Sequence, residues 1–315
     1  MANSTQSISS QISKDLENTN TCHTSSSQKS DVYSKLTQRI VELLEKNPKN
    51  WMKPWVGGPQ GLPINFSTQK AYRGMNLLYL GLLSNVTGSN LYITYNQAKA
   101  LGGNIKKGAK GFPVFYFDVM KKTKSNKDGS ETAEEIFFCR SYTVFSALDT
   151  EGVKGVEQLM PKPQINFNPI EECEKIVSEY KDCPTIIHDQ IGRAFHRRST
   201  NEIHLPAKNN FLSEPEYYST LFHEMGHSTG TENRLNRPEL VNYHENKHNH
   251  SKEELIAEIT ACFLCGLTGI ENKTIDNSVA YINGWIQIFK NDPKVLFSAA
   301  QKAQKAVDYI LGKEV

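Results

Sequence analysis

At 315 residues the chain is long enough for two domains of ordinary size, each able to bury its own core. Net charge is only +2, yet residues 31–150 carry 16 Lys and Arg against 9 Asp and Glu, while residues 151–315 carry 18 against 23. A near-neutral average thus hides a basic half suited to a polyanion. The six scattered cysteines and the lack of an apolar run of membrane length argue against a disulfide scaffold or a membrane span, so the expected setting is cytoplasmic.

Residues 1–30 read as a disordered polar tail: 19 of them are Ser, Thr, Asn or Gln, leaving little apolar surface to offset the entropy of ordering. From Asp31 onward, Val32, Leu36, Ile40, Leu43 and Leu44 recur at helical spacing before Pro48, which predicts a helix. The turn-rich WMKPWVGGPQGLPINF follows, then short helices over GMNLLYLGLL and TYNQAKALGG. FPVFYFDVM and EEIFFCRSYTVFS are rich in aromatic and β-branched residues and read as strands, with the polar KKTKSNKDGSETA as their hairpin loop. The first domain, residues 31–150, is therefore predicted to be α+β, and the prolines and weak periodicity of residues 151–168 mark a linker.

The second domain, residues 169–315, opens with a helical pattern, IEECEKIVSEYKDC, and continues into AFHRRSTNEIHLPAKNNF, two short strands flanking a polar turn. Ser213 with Glu216 resembles a capping box and starts the helix that carries His223 and His227. Ser251 similarly starts a helix through Leu267, and helices near residues 277–290 and 293–311 finish the domain.

The stretch LFHEMGHSTGTENRL contains HExxH. Four residues apart on one helix, His223 and His227 face the same way and can converge on one Zn²⁺. Beside them, Glu224 can accept a proton from an attacking water and return it to a leaving amine. Gly230 extends the pattern toward HExxHxxGxxH, but Asn233 stands where that motif has its third histidine, so a metzincin is not expected. The third ligand is sought downstream, where ELIAE resembles the E-x-x-x-D/E helix of thermolysin-like gluzincins. That resemblance implies Glu254 as ligand and Glu258 as the carboxylate that holds a ligand histidine from behind. Two alternatives stay open: Glu254 as the capping partner of Ser251, leaving Glu258 as ligand, or a histidine from HENKHNH, namely His244, His248 or His250. His204 on the preceding strand reads as structural, and Cys262 and Cys265 as buried small residues of a helix.

In the basic half, Trp51, Lys53, Trp55, Tyr72, Arg73, Tyr92, Tyr95, Lys99, Lys106, Lys107 and Lys110 interleave rings with positive charge. Single-stranded nucleic acid is bound by such combinations, because rings stack on exposed bases and cations neutralise phosphates. The competing reading is an aromatic core under a solvated lysine face.

The order WMKPW, NFSTQKAYRGMN, YITYNQAKALGGNIKKGAKGFPVFYF and YTVFSALDTEG resembles the N-terminal domain of ArdC-type antirestriction proteins. YYSTLFHEMGHSTGTENRLNR, EELIAEITACFL and WIQIFKNDPKVLFSAAQKAQKAVDYIL resemble that family's metallopeptidase-like second domain. The resemblance covers roughly residues 31–312. It implies a two-domain α+β protein: a small domain that binds single-stranded DNA, then a zincin-like gluzincin domain, acting on incoming mobile-element DNA. It implies His223, His227 and Glu254 as metal positions for Zn²⁺ or Mn²⁺ and Glu224 as the catalytic glutamate. Candidate DNA contacts are Trp51, Trp55, Tyr72, Arg73, Lys106, Lys107 and Lys110. Other functions compatible with the same residues are a non-enzymatic single-strand shield with a structural or vestigial metal site and a protease for DNA–protein crosslinks similar to the SprT type; the expected partners are single-stranded DNA and, for a peptidase, an unknown protein substrate, with no membrane.

Overall fold

The computed structural model of the chain describes residues 26–46, 62–125, 131–156, 168–242, 247–270 and 279–314. The first apolar repeat forms helix α1, Ser26–Lys46, which buries Leu36, Ile40, Val41 and Leu44 along one side. It starts inside the polar segment, ahead of Asp31, because nothing between Ser26 and Asp31 breaks a helix. Trp51 and Trp55, with the rest of the aromatic loop up to residue 61, lie outside the described residues.

Strand β1, Ile64–Asn65, is followed by α2, Gly74–Thr87, which is apolar on nearly every side and buried accordingly. Gly88 ends α2 in the left-handed conformation (φ 68°). Strand β2, Leu91–Thr94, leads into α3, Tyr95–Ala100, where Thr94 and Gln97 make both bonds of a capping box. Strands β3, Asn104–Ile105, β4, Phe112–Ser125, and β5, Glu131–Ser146, follow, and after a single 3₁₀ turn comes β6, Thr150–Glu151. The main sheet runs β1-β2-β5-β4, with Ile93 opposite Phe145, and β3 pairs with β6.

The strands β4 and β5 reach well into the polar stretch expected to be a loop. Once FPVFYF and FFCRSYTVF set the register, backbone pairing continues outward whatever the side chains are. Residues 151–156, expected in the linker, instead continue the domain: Glu151 joins Thr150 in the small sheet, and Val153 and Val156 pack on a buried cluster of Phe66, Leu91, Ile93, Ala98 and Ala147. The approach is close enough that a Cβ on Gly103 would meet Val153 Cγ2 at 2.3 Å and Val153 N at 2.6 Å, so this position has to be glycine.

Helix α4, Pro169–Glu179, is capped by Asn168, whose side chain accepts from Ile170 N at 3.0 Å. A three-stranded sheet comes next, ordered β7-β9-β8, from β7, Thr185–Ile187, β8, Phe195–Arg197, and β9, Glu202–His204. The β8–β9 hairpin is the predicted one; β7 is too short to leave a pattern and joins β9 in parallel. Helices α5, Glu214–Ser228, α6, Pro238–Val241, α7, Lys247–Thr268, α8, Val279–Asn291, and α9, Pro293–Ile310, complete the chain. No helix among the described residues is long and apolar enough to cross a membrane.

The described residues fall into two compact units, one within Tyr33–Phe112 and Thr143–Val315, the other formed by residues 26–32 and those of Pro113–Tyr142. Within the larger unit, segments from both predicted domains pack together. Tyr33 meets Phe297 edge-on at 4.6 Å, Thr37 Oγ1 donates to Pro293 O at 3.0 Å, and Gly74 N donates to Gln304 Oε1 at 3.0 Å. In the smaller unit the rings of Tyr116 and Tyr142 pack edge to face at 5.4 Å.

The close crossing of α5 and α7 depends on Gly226, where a Cβ would come to 3.2 Å from Ala257 Cα and from Thr260 Cβ. Gly226→Ala is therefore expected to push the helices apart and cost about 1–3 kcal/mol. Chemical unfolding of the variant beside its parent checks this, and an unchanged midpoint would contradict it.

Candidate metal centre

Helix α5 begins where Ser213 accepts from Glu216 N at 3.4 Å and Pro215 occupies the first turn. Only half of the predicted capping box forms, since Glu216 Oε2 accepts from Leu212 N at 2.8 Å rather than from Ser213 N. Two turns on, α5 presents His223 and His227 toward α7, and Glu224 and His227 are buried.

The two Nε2 atoms of His223 and His227 lie 3.1 Å apart. Glu254 of α7 reaches both, with Oε2 3.4 Å from His223 Nε2 and Oε1 3.5 Å from His227 Nε2. One ligand-type atom from each of the three residues falls within 4.8 Å of the others, and among the described residues no other group does this. Behind the ring nitrogens stand more carboxylates: His223 Nδ1 is 3.3 Å from Glu258 Oε2, and His227 Nδ1 is 3.2 Å from Glu253 Oε1. With each Nδ1–H donated outward, both Nε2 lone pairs face the same point, beside a carboxylate. That donor set fits a divalent cation.

The electrostatics agree. Burial opposes charge on His223, yet Glu254 and Glu258 hold its pKa well above the usual imidazole value. Burial likewise opposes charge on His227, but Glu254 and Glu253 push it up to about 9. Burial would raise Glu254, whereas His227 and His223 hold it well below the usual carboxylate range. A site that draws protons this strongly is negative overall and draws a metal cation for the same reason. Glu224 is raised, chiefly by burial, against the opposing pull of His223 and His227; the backbone amide of His196 on β8 also favours its ionised form.

Three contributors escaped the sequence reading. Glu253 is fully buried and forks onto Arg237, with Oε2 3.0 Å from Nε and Oε1 2.5 Å from Nη2. Arg237 also donates to Thr229 Oγ1 at 2.6 Å and to Gly226 O at 2.9 Å. Its guanidinium fills the space that a side chain at residue 230 would need: a Cβ on Gly230 would sit 2.5 Å from Nη2. The glycine of HExxHxxG thus makes room for an arginine. The third is His196, whose ring is pushed down to about 4 by burial and the nearby His227, and is neutral at physiological pH.

Asn233 is exposed in the turn after α5. Ser251 does not start α7, which begins a turn earlier at Lys247, so Glu254 is not at the third position of a cap. His250 is exposed, while His244 and the side chain of His248 lie outside the described residues. His204 is buried, 2.9 Å from Asp189 Oδ1 and 3.3 Å from Glu202 Oε2, and stacks on Phe195. Cys262 and Cys265 are buried thiols whose pKa burial pushes well above the usual value.

In the basic half, Tyr72 is buried, its hydroxyl accepting from Asn65 Nδ2 at 3.3 Å, so its ring offers no stacking platform. Arg73 pairs with Asp308 of α9. Lys106, Lys107 and Lys110 are exposed, and Lys106 Nζ donates to Leu148 O at 2.8 Å. Tyr95 is exposed, with the Lys99 ammonium 5.7 Å from the centroid of its ring.

Comparison with known proteins matches residues 30–145 to the family of the N-terminal domain of anti-restriction factor ArdC and residues 171–302 to that of a zincin-like metallopeptidase. The crystal structure of the antirestriction ArdC protein from the R388 plasmid, in its metal-free form, superposes with a TM-score of 0.70 at 32% identity, covering 89% of this chain and 96% of that one. The Mn(II)-bound structure of the same protein gives 0.69, also at 32% identity, over 89% and 97%. Two DNA primases TraC of Escherichia coli are each 32% identical over 89% and 91% of this chain, which spans only 20% and 27% of their length. A chain that matches ArdC over almost its whole length, in both domains, belongs to the ArdC-type antirestriction family, an α+β architecture in which an ArdC N-terminal domain precedes a zincin-like one.

Proposed function

We propose that this protein binds single-stranded DNA through its basic half and protects incoming mobile-element DNA, and that its centre between α5 and α7 is a zinc metallopeptidase site directed at protein on or near that DNA. The observation that carries the catalytic part is the convergence of His223, His227 and Glu254 with Glu224 buried beside them. The cation, zinc with manganese as the alternative, would be held by His223, His227 and Glu254 and would polarise a scissile carbonyl. Glu258 and Glu253 fix the ring orientation and tautomer of the two histidines. Glu224 takes a proton from the attacking water and delivers it to the leaving amine, and its burial raises its proton affinity toward the range useful for that exchange. The strand-binding part is supported by exposed Lys106, Lys107 and Lys110 and by the Tyr95–Lys99 pair.

The protective role is tested with purified protein, single-stranded and duplex DNA bearing a restriction site, and the nuclease that cuts it. Binding to the single strand that weakens with salt, together with protection, is expected; binding to duplex alone, or no protection, would sink this reading. The ligand set is tested by metal content. Glu254→Ala is expected to lose the ion, whereas Glu258→Ala retains it with affinity reduced by about 10–100-fold. Full occupancy in the Glu254 variant would overturn the assignment.

A further inference from the structure

Between the two family-matched segments, residues 147–156 build one side of a cleft of about 550 Å³. That volume lies within the range of roughly 300–1,000 Å³ typical of small-molecule sites. Its apolar lining is Leu148, Val153 and Val156, and the two valines are anchored on the buried cluster beneath. Its cations are Lys106 and Lys154, both exposed, while neither carboxylate of the same segment, Asp149 or Glu151, lines it. The bond from Lys106 Nζ to Leu148 O holds that ammonium at the cleft with hydrogens to spare. The wall is stiff, because the turn at Gly152 (φ 73°) packs directly on Gly103, where no side chain fits.

We infer that this cleft seats one nucleotide of a single DNA strand, its base on the aliphatic lining and its phosphate on Lys106 and Lys154. The inference rests on the single-strand reading given above and extends the binding surface past the segment that matches the ArdC N-terminal domain. An isolated carboxylate would use the cations but not the apolar lining, and an apolar side chain would use the lining but not the cations; a nucleotide uses both. A base that is paired and stacked in a duplex cannot enter, so the cleft also favours single strands over duplex.

The test uses the full chain and a fluorescent oligothymidylate, with affinity measured across a salt series. Lys154→Glu is expected to weaken binding about tenfold and to lower the slope of log K against log salt by about 0.7 for the lost phosphate contact. Lys154→Arg should restore both, and Lys175→Glu, the same charge change on the exposed side of α4, should alter affinity by less than about twofold. Photo-crosslinking with iodouracil in the strand should map to the peptide containing Val153–Val156. If the parent binds but Lys154→Glu behaves like Lys175→Glu and the crosslinks fall elsewhere, the cleft assignment is wrong and the single-strand reading stands. If the parent binds no single strand, both fall.

Discussion

Glu224→Gln is expected to reduce peptide hydrolysis by about two to four orders of magnitude, with metal content and strand binding at the parent level. Glutamine keeps the shape of a side chain buried between two histidines but has no site to accept the proton, whereas His223, His227 and Glu254 remain unchanged. The variant also separates the functional readings. If it shields DNA as well as its parent, protection needs no proteolysis and the centre serves another purpose. Cleavage seen only with single-stranded DNA present would favour action on DNA-bound protein. Undiminished hydrolysis would remove Glu224 from the role of base.

Arg237→Ala should be the most destabilising single change at the centre. Removing one partner of a buried ion pair costs about 3–5 kcal/mol, since it strands the other charge. Glu253, with no exposed surface, would lose both of its guanidinium contacts, and Thr229 and Gly226 would each lose a donor. Because Glu253 orients His227, metal affinity should also fall, by about 10–100-fold. Glu253→Gln added to Arg237→Ala should recover part of the stability, as the amide carries no charge to strand. The pH dependence has a defined sign. Burial would raise the Glu253 pKa, but Arg237 holds it below the usual value. The stability from this pair is therefore complete at neutral pH and is lost as pH falls below about 4, so parent and variant should converge in acid. Equal unfolding midpoints at neutral pH would refute the account.

The His223, Glu224 and His227 cluster was legible because HExxH is local: one helical turn and one cap place all three side chains. Glu254 was reached only through resemblance, and the Ser251 reading shows why. A serine followed three residues later by glutamate is a start signal wherever it occurs, but α7 extends back through Lys247–His250, which a helix tolerates. Glu253 and Arg237 gave no signal at all, since they meet across a turn whose only trace in the sequence is Gly230. Tyr72 failed for the opposite reason. Aromatic residues among lysines fit a core as well as a stacking surface, and only burial separates Tyr72 from Tyr95. The hairpin strands were found by composition, but their length depends on backbone pairing that polar side chains neither cause nor prevent.

The packing of α9 against α1 and α2 bears on how such genes can be cut and joined. A fusion that carried away only residues 31–150 would take Leu36, Ile40 and Leu44 without Pro293 and Phe297, and Arg73 without Asp308. Its product would expose an apolar face with nothing to cover it. The predicted linker at residues 151–168 is thus a poor seam for recombination, and in the TraC relatives the similarity runs through both sides of it together.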